Sequence, residues 1–394
     1  MDAVTGYARC RDAGSAGVRA AMRGRRLPAR ATGVAALLLL LAGCAAGPVA
    51  APSAASTPMP ENTVAAGVDD ETVLMDCATS VPLDAAAAVL GLPVAEVLDQ
   101  QDPPADITAF ARAVTLAMSE PALQIAGEQH CRYIGPSGQG RAPEVRVSVL
   151  PNGAAEFSLV EPDVNDGLRN MLPVYLGDQG YSECRDGEWE GCRAEVLIGS
   201  TWISISVGIS GLDPESFLAY AGGVVDSIGA LKFAQPAEPS RPECGALLSP
   251  HDLNDSGGLV DATGGDLLSL DERASQNRAA QVRGGLVQCG WSDESSPGGV
   301  ELTILPGAGG LWAQTPPTGI PSTIPLQSID LTVETGAEWP ASGVEAWAGC
   351  ADDECQVTLM ADGIWLTVAS PAEGGLTGAS ALAAAAYQRY AEAT

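Results

Sequence analysis

Residues 145–151 read Val-Arg-Val-Ser-Val-Leu-Pro, and residues 300–306 read Val-Glu-Leu-Thr-Ile-Leu-Pro. Apolar and polar residues alternate in both, which is the period of a strand with one buried face. Val145, Val147 and Val149 share one side, with Arg146 and Ser148 on the other. Two further blocks align in the same order. Cys131-Arg132-Tyr133 answers Cys289-Gly290-Trp291, with an aromatic residue two positions after each cysteine. Cys192 precedes Trp202 by ten residues, as Cys355 precedes Trp365, and Trp202-Ile203-Ser204-Ile205 matches Trp365-Leu366-Thr367-Val368. Three blocks in one order predict an internal duplication.

Helical stretches lie between and after these strands. Leu83 to Leu90 and Ile107 to Met118 are Ala-rich, and Asp213-Pro214 opens a helix running to about Ile228. Ser380 to Ala393 holds the equivalent place in the second half. The expected fold class is α+β: two tandem homologous domains, each an antiparallel sheet with packed helices and two disulfides. The expected boundaries are repeat 1 at 73–234, a Pro- and Glu-bearing linker at 235–243 and repeat 2 at 244–394.

Composition sets the limits on function. The chain of 394 residues has 20 basic and 49 acidic groups, a formal net charge of −29, with 46% hydrophobic residues. That apolar content supports packed cores. The acidity excludes nucleic acid as the expected partner, since phosphate contacts need Lys and Arg. The charge is unevenly placed: residues 1–43 carry seven Arg and two Asp, and everything after them sums to −34. The two halves share that excess, −13 over 77–233 and −15 over 244–394.

A basic leader before an acidic body reads as a targeting segment. Arg23, Arg25, Arg26 and Arg30 precede an apolar run from Val34 to Ala42, too short for a permanent span. Met22 stands as an alternative start, and Arg25-Arg26 is a weak twin-arginine match. Leu41-Ala42-Gly43-Cys44 resembles a bacterial lipobox. That resemblance implies cleavage before Cys44, with residues 1–43 as signal peptide and Cys44 lipidated by diacylglycerol and palmitate. The chain would then sit at the extracytoplasmic face of the cell membrane, where paired acyl chains anchor stably. Residues 44–72, rich in Ala, Pro, Ser and Thr, read as a flexible tether. The whole pattern resembles actinobacterial cell-envelope lipoproteins.

Eight cysteines follow Cys44, four in each half, and an even count in an exported chain reads as disulfides. Four cysteines in one half allow three pairings. The close pairs Cys184–Cys192 and Cys350–Cys355 are favoured, because turn residues lie between them and strand-like sequence follows. That leaves Cys77–Cys131 and Cys244–Cys289. No Cys-x-x-Cys occurs and there are two histidines, so no metal is expected.

Catalytic signatures are weak. His130 and His251 read as exposed polar residues, and Ser137 in Gly135-Pro136-Ser137-Gly138-Gln139 misses the nucleophile-elbow pattern. Lys232 is the single lysine, and no phosphate-binding loop precedes it. The acidic clusters Asp163-Val164-Asn165-Asp166-Gly167 and Asp352-Asp353-Glu354 read as solvated turns. Tyr133, Trp291, Trp202 and Trp365 recur at matched positions and read as core. Trp312, Trp339 and Trp347 belong to the second half alone and are the candidate ligand or partner surface. The expected role is a non-catalytic binding or scaffolding one, without cofactor, toward an envelope protein or ligand. The alternatives are a cell-wall hydrolase using acidic residues and a small-ligand or lipid carrier or sensor.

Overall fold

A computed structural model describes residues 74–99, 113–137, 141–159, 171–185, 191–234, 236, 238–268, 270, 275–293, 298–312, 324–332, 339, 343–351 and 353–394. The leader, Cys44, the tether and the Asp163–Gly167 cluster lie outside them.

In the first half the order is α1 (Cys77–Ser80), α2 (Leu83–Val89), β1 (Leu98–Asp99), α3 (Ala113–Ile125), β2 (Gln129–Ile134), β3 (Glu144–Leu150) and α4 (Ala154–Phe157). It continues with β4 (Leu172–Pro173), β5 (Gln179–Arg185), β6 (Gly191–Ile198), β7 (Thr201–Gly208) and α5 (Pro214–Gly229). The second half runs α6 (Cys244–Leu247), α7 (Pro250–Asp255), β8 (Thr263–Asp266), α8 (Gln276–Arg283), β9 (Val287–Ser292), β10 (Gly299–Leu305) and α9 (Gly309–Trp312). It closes with β11 (Gln327–Ile329), β12 (Glu345–Ala351), β13 (Glu354–Ala361), β14 (Ile364–Pro371) and α10 (Gly375–Ala393).

Each half builds a seven-stranded antiparallel sheet. The first has order β1-β2-β3-β7-β6-β5-β4, and the second β8-β9-β10-β14-β13-β12-β11. The orders are the same, and so is the register at the central pair. Leu150 faces Trp202 and Val147 faces Ile205, while Leu305 faces Trp365 and Leu302 faces Val368. The edge strands β1 and β4 are two residues long, and β4 carries Pro173, both of which blunt an edge against further pairing.

The eight cysteines form four disulfides: Cys77–Cys131, Cys184–Cys192, Cys244–Cys289 and Cys350–Cys355. The close pairs join directly opposite positions of neighbouring strands, Cα–Cα 4.0 and 4.1 Å. The long pairs tie α1 to β2 and α6 to β9, closing loops of 54 and 45 residues. Each such closure stabilises by about 4 kcal/mol in the chain-entropy account.

Each sheet has two buried faces. On the outer face of the first, Val145, Val147, Val149, Ile203, Ile205 and Val207 pack with Phe217, Ala221 and Val225 of α5. Leu302, Val357 and Leu366 pack likewise with Leu382, Ala383 and Ala386 of α10. The inner faces look toward a shared layer made by α3 and α8. Met118 and Ala122 of α3 join Leu305, Trp312 and Trp365 of the second sheet. Leu123 of α3 and Ala126 just after it, with Ala279 and Ala280 of α8, join Leu150, Phe157 and Trp202 of the first. The halves therefore interlock within one compact unit.

Three details depart from the sequence reading. The helix expected at 107–118 begins among the described residues at Ala113 and runs through Pro121 to Ile125, because Ala122 and its neighbours are buried between the sheets. The last helix starts five residues before Ser380, at Gly375. Trp202 and Trp365 are core residues, as expected, but they point away from Ile203 and Leu366, into the layer between the halves.

Candidate functional site

The inner face of the first sheet is graded in rows, each row running across several strands. The innermost joins Leu150, Trp202 and Leu197 and is covered by α8 and α4. The middle row is His130, Ser148, Ser204, Glu195 and Tyr181. The outermost is Arg132, Arg146, Ser206, Arg193 and Glu183, on β2, β3, β7, β6 and β5 in turn. Because side chains alternate along every strand, residues remote in sequence meet here on one face.

The outer row opens into a cleft of about 250 Å³ whose lining includes Arg141, Glu144, Arg146, Glu183, Arg185 and Arg193. Glu144 pairs with Arg132 and Arg146 at 3.0 Å and with Arg141 at 3.7 Å. Glu183 pairs with Arg185 at 2.7 Å and Arg193 at 2.6 Å. Burial alone would raise the Glu144 pKa, but the Arg132 hydrogen bond and the three guanidinium charges outweigh it and hold the group below the usual carboxylate range. Among the described residues, five arginines gather here around two glutamates.

Glu195 of the middle row and Glu128, just before β2, are carboxyl groups that behave in the opposite way. Glu195 is 7% exposed and accepts hydrogen bonds from Trp202 Nε1 at 2.7 Å and Ser204 Oγ at 3.0 Å. Burial pushes its pKa up to about 7 against those hydrogen bonds and the Arg193 charge. Glu128, also 7% exposed, is pushed up to about 8 by burial, with Glu120 adding to the effect. The second sheet holds the same tryptophan-centred network without a charge. There Trp365 Nε1 donates to Thr358 Oγ1 at 3.1 Å, and the Thr358 and Thr367 hydroxyls lie 2.8 Å apart. The fold is thus satisfied by a hydroxyl where the first half has a carboxyl.

Ser148 and His130 are cross-strand partners, and His130 Nδ1 lies 3.8 Å from Glu120 Oε1, the residue types of a nucleophile, base and acid set. The Ser148 hydroxyl, however, donates to Gln276 Oε1 of α8 at 2.5 Å and is buried there. Gln276 Nε2 in turn donates to the Trp202 carbonyl at 2.6 Å. This serine is a bolt between the halves, not an exposed nucleophile. His251 pairs with Asp255 on the exposed side of α7 at 3.2 Å, and Ser137 is exposed after β2.

The tryptophans singled out from sequence are placed differently from one another. Trp312 is 5% exposed, with its ring centroid 5.1 Å from both Trp347 and Trp365, so it belongs to the core and is withdrawn from the candidate surface. Trp347 is half-buried beside it. Trp339 packs on Tyr387 at 5.8 Å. The arginine row was not recognised as a site from sequence, although one signal was present: Arg146 and Glu301 occupy the same position of the aligned blocks with opposite charge.

The second sheet has its own cleft, about 680 Å³, whose lining includes Asp266, Glu301, Asp353 and Glu354 among glycines, with Asp266 paired to Arg241 at 2.6 Å. Among the described residues no group of three or more His, Cys, Asp or Glu could hold a metal ion. No described helix is long and apolar enough to cross a membrane. No known family, curated protein or solved structure matches the chain.

Proposed function

We propose that the chain is a lipid-anchored, extracytoplasmic binding module of the cell envelope, built from two copies of one ancestral domain and working without chemistry of its own. The observation that carries the binding role is the inner face of the first sheet. Its open end presents exposed guanidinium groups, while Ser148 and Ser204 beside it are held in hydrogen bonds that serve packing. The duplication is supported by the shared strand order and central register, and by paired long and short disulfides at equivalent places. The anchor reading rests on Leu41-Ala42-Gly43-Cys44 behind its basic and apolar leader. The raised carboxyl of Glu195 is the observation that favours the hydrolase alternative.

Cys44→Ala tests the anchor. It should abolish incorporation of a labelled fatty acid and release the protein from the membrane fraction. Retained labelling would overturn the assignment.

A further inference from the structure

We infer that the arginine row of the first sheet is a binding site for a phosphate group, with Ser206 at its floor and Arg146 and Arg193 at its sides. The inference deepens the binding role proposed above and does not depend on the anchor at Cys44.

Register is the first support. Arg146, Ser206 and Arg193 are direct neighbours across β3, β7 and β6. Adjacent strands lie about 4.8 Å apart, so the two arginine backbones stand about 10 Å apart with the serine hydroxyl midway. Arg146 is held by Glu144 and Arg193 by Glu183, and two guanidinium groups flanking the serine can contact one oxyanion from opposite sides.

Depth is the second support. The Glu144 and Glu183 side chains are 11% and 6% exposed, whereas Arg146, Arg185 and Arg193 are 46%, 48% and 37% exposed. The carboxylates are the more deeply buried partners and brace the guanidinium groups, which line the cleft with them. A ligand therefore meets cations first, in a half whose remaining charge is strongly negative. That surrounding charge repels an extended polyanion and leaves room for a compact one.

The third support is what the second half does without. Its equivalent row reads Gly290, Glu301, Ala369, Gln356 and Gly349 across the same five strand positions. The same sheet folds with no cation in that row, so the arginines are not a requirement of the architecture. Five of the 13 basic groups beyond Cys44 have been gathered in one place.

The geometry also selects the shape of the anion. A planar carboxylate offers two oxygens to one fork, as Glu144 does to Arg132 at 3.0 and 3.4 Å. A tetrahedral phosphate can accept from forks on two sides and from the Ser206 hydroxyl together. Two sources share this chemistry: free phosphate and the phosphate ester of a lipid headgroup.

The test is calorimetric titration of the full-length protein in detergent with inorganic phosphate, glycerol 3-phosphate and acetate. Saturable binding of a phosphate compound that weakens with added salt is expected, with acetate at least about tenfold weaker. Arg146→Gln and Arg193→Gln should each weaken binding about tenfold or more. Ser206→Asp, which leaves both bracing glutamates and all five arginines in place, should abolish it while near-ultraviolet circular dichroism stays that of the parent. Tighter binding of glycerol 3-phosphate supports a headgroup source, and tighter binding of inorganic phosphate supports a free one. Absence of saturable phosphate binding, equal affinity for acetate, or parental binding in all three variants would overturn the site. None of these results bears on fatty-acid labelling at Cys44.

Discussion

Glu195 and Thr358 occupy one node of the same hydrogen-bonded motif, and the difference between them is a cost in stability at neutral pH. An unfolded glutamate titrates near 4.5, while folded Glu195 titrates near 7. The folded form thus holds its proton over that interval while the unfolded form loses it. Stability is full below about pH 4.5 and falls as pH rises toward 7, with Glu128 extending the fall toward 8. For Glu195 the loss amounts to about 3 kcal/mol. Glu195→Thr, which copies the second half, should raise the melting temperature at pH 8 and leave it nearly unchanged at pH 4. An unchanged pH dependence in the variant would refute this account. No sequence signal pointed to Glu195, because desolvation depends on what covers a side chain. The arginine cluster was hidden for a related reason, its five arginines being spread from Arg132 to Arg193 and brought together by strand pairing.

At the scale of elements, the crossing of α3 and α8 decides how the halves meet. Gly284, directly after α8, lies against Ala122 of α3, and Ala126, directly after α3, clusters with Ala280 of α8. A Cβ at Gly284 would stand 2.0 Å from the Ala122 carbonyl oxygen, a backbone atom that cannot swing aside. Gly284→Ala should therefore destabilise by about 1–3 kcal/mol, the cost of overpacking. Gly245→Ala serves as the control, since nothing lies within 4 Å of its Cβ position. Equal thermal shifts in the two variants would remove the crossing from the account. The same crossing explains the displaced helix boundary. Sequence reading stopped the helix at Met118, before Ser119-Glu120-Pro121, whereas burial of Ala122 and Leu123 between the sheets carries it past the proline. Propensity is a weak guide where tertiary packing covers both sides of a helix.

Across the whole molecule the halves are bound by apolar and polar contacts alike. Beyond the Gln276 bonds, Arg283 of α8 is 8% exposed, donates to the carbonyls of Pro151 and Asn152, and pairs with Glu156 at 2.6 Å. Separation would uncover Trp202, Phe157, Leu150 and Met118 on the first half and Trp365, Trp312 and Leu305 on the second. Thermal unfolding with disulfides intact should thus give one cooperative transition, with tryptophan fluorescence and far-ultraviolet circular dichroism coinciding. Two resolved transitions would show that the halves fold independently.

Strand alternation, helix placement in outline and the sorting of eight cysteines by half were legible along the chain, because each depends on short-range spacing. So was the repeated −13 and −15 of net charge, which is a sum and needs no coordinates. The sum concealed an opposite arrangement: arginines crowd the cleft of the first sheet, and carboxylates line that of the second. Which face Trp202, Trp312 and Trp365 adopt, and which charges share a row, were settled by tertiary structure alone. A strand dictates that neighbouring side chains alternate; only the pairing of strands and the helices laid over them decide which neighbours meet and which are shut away from water.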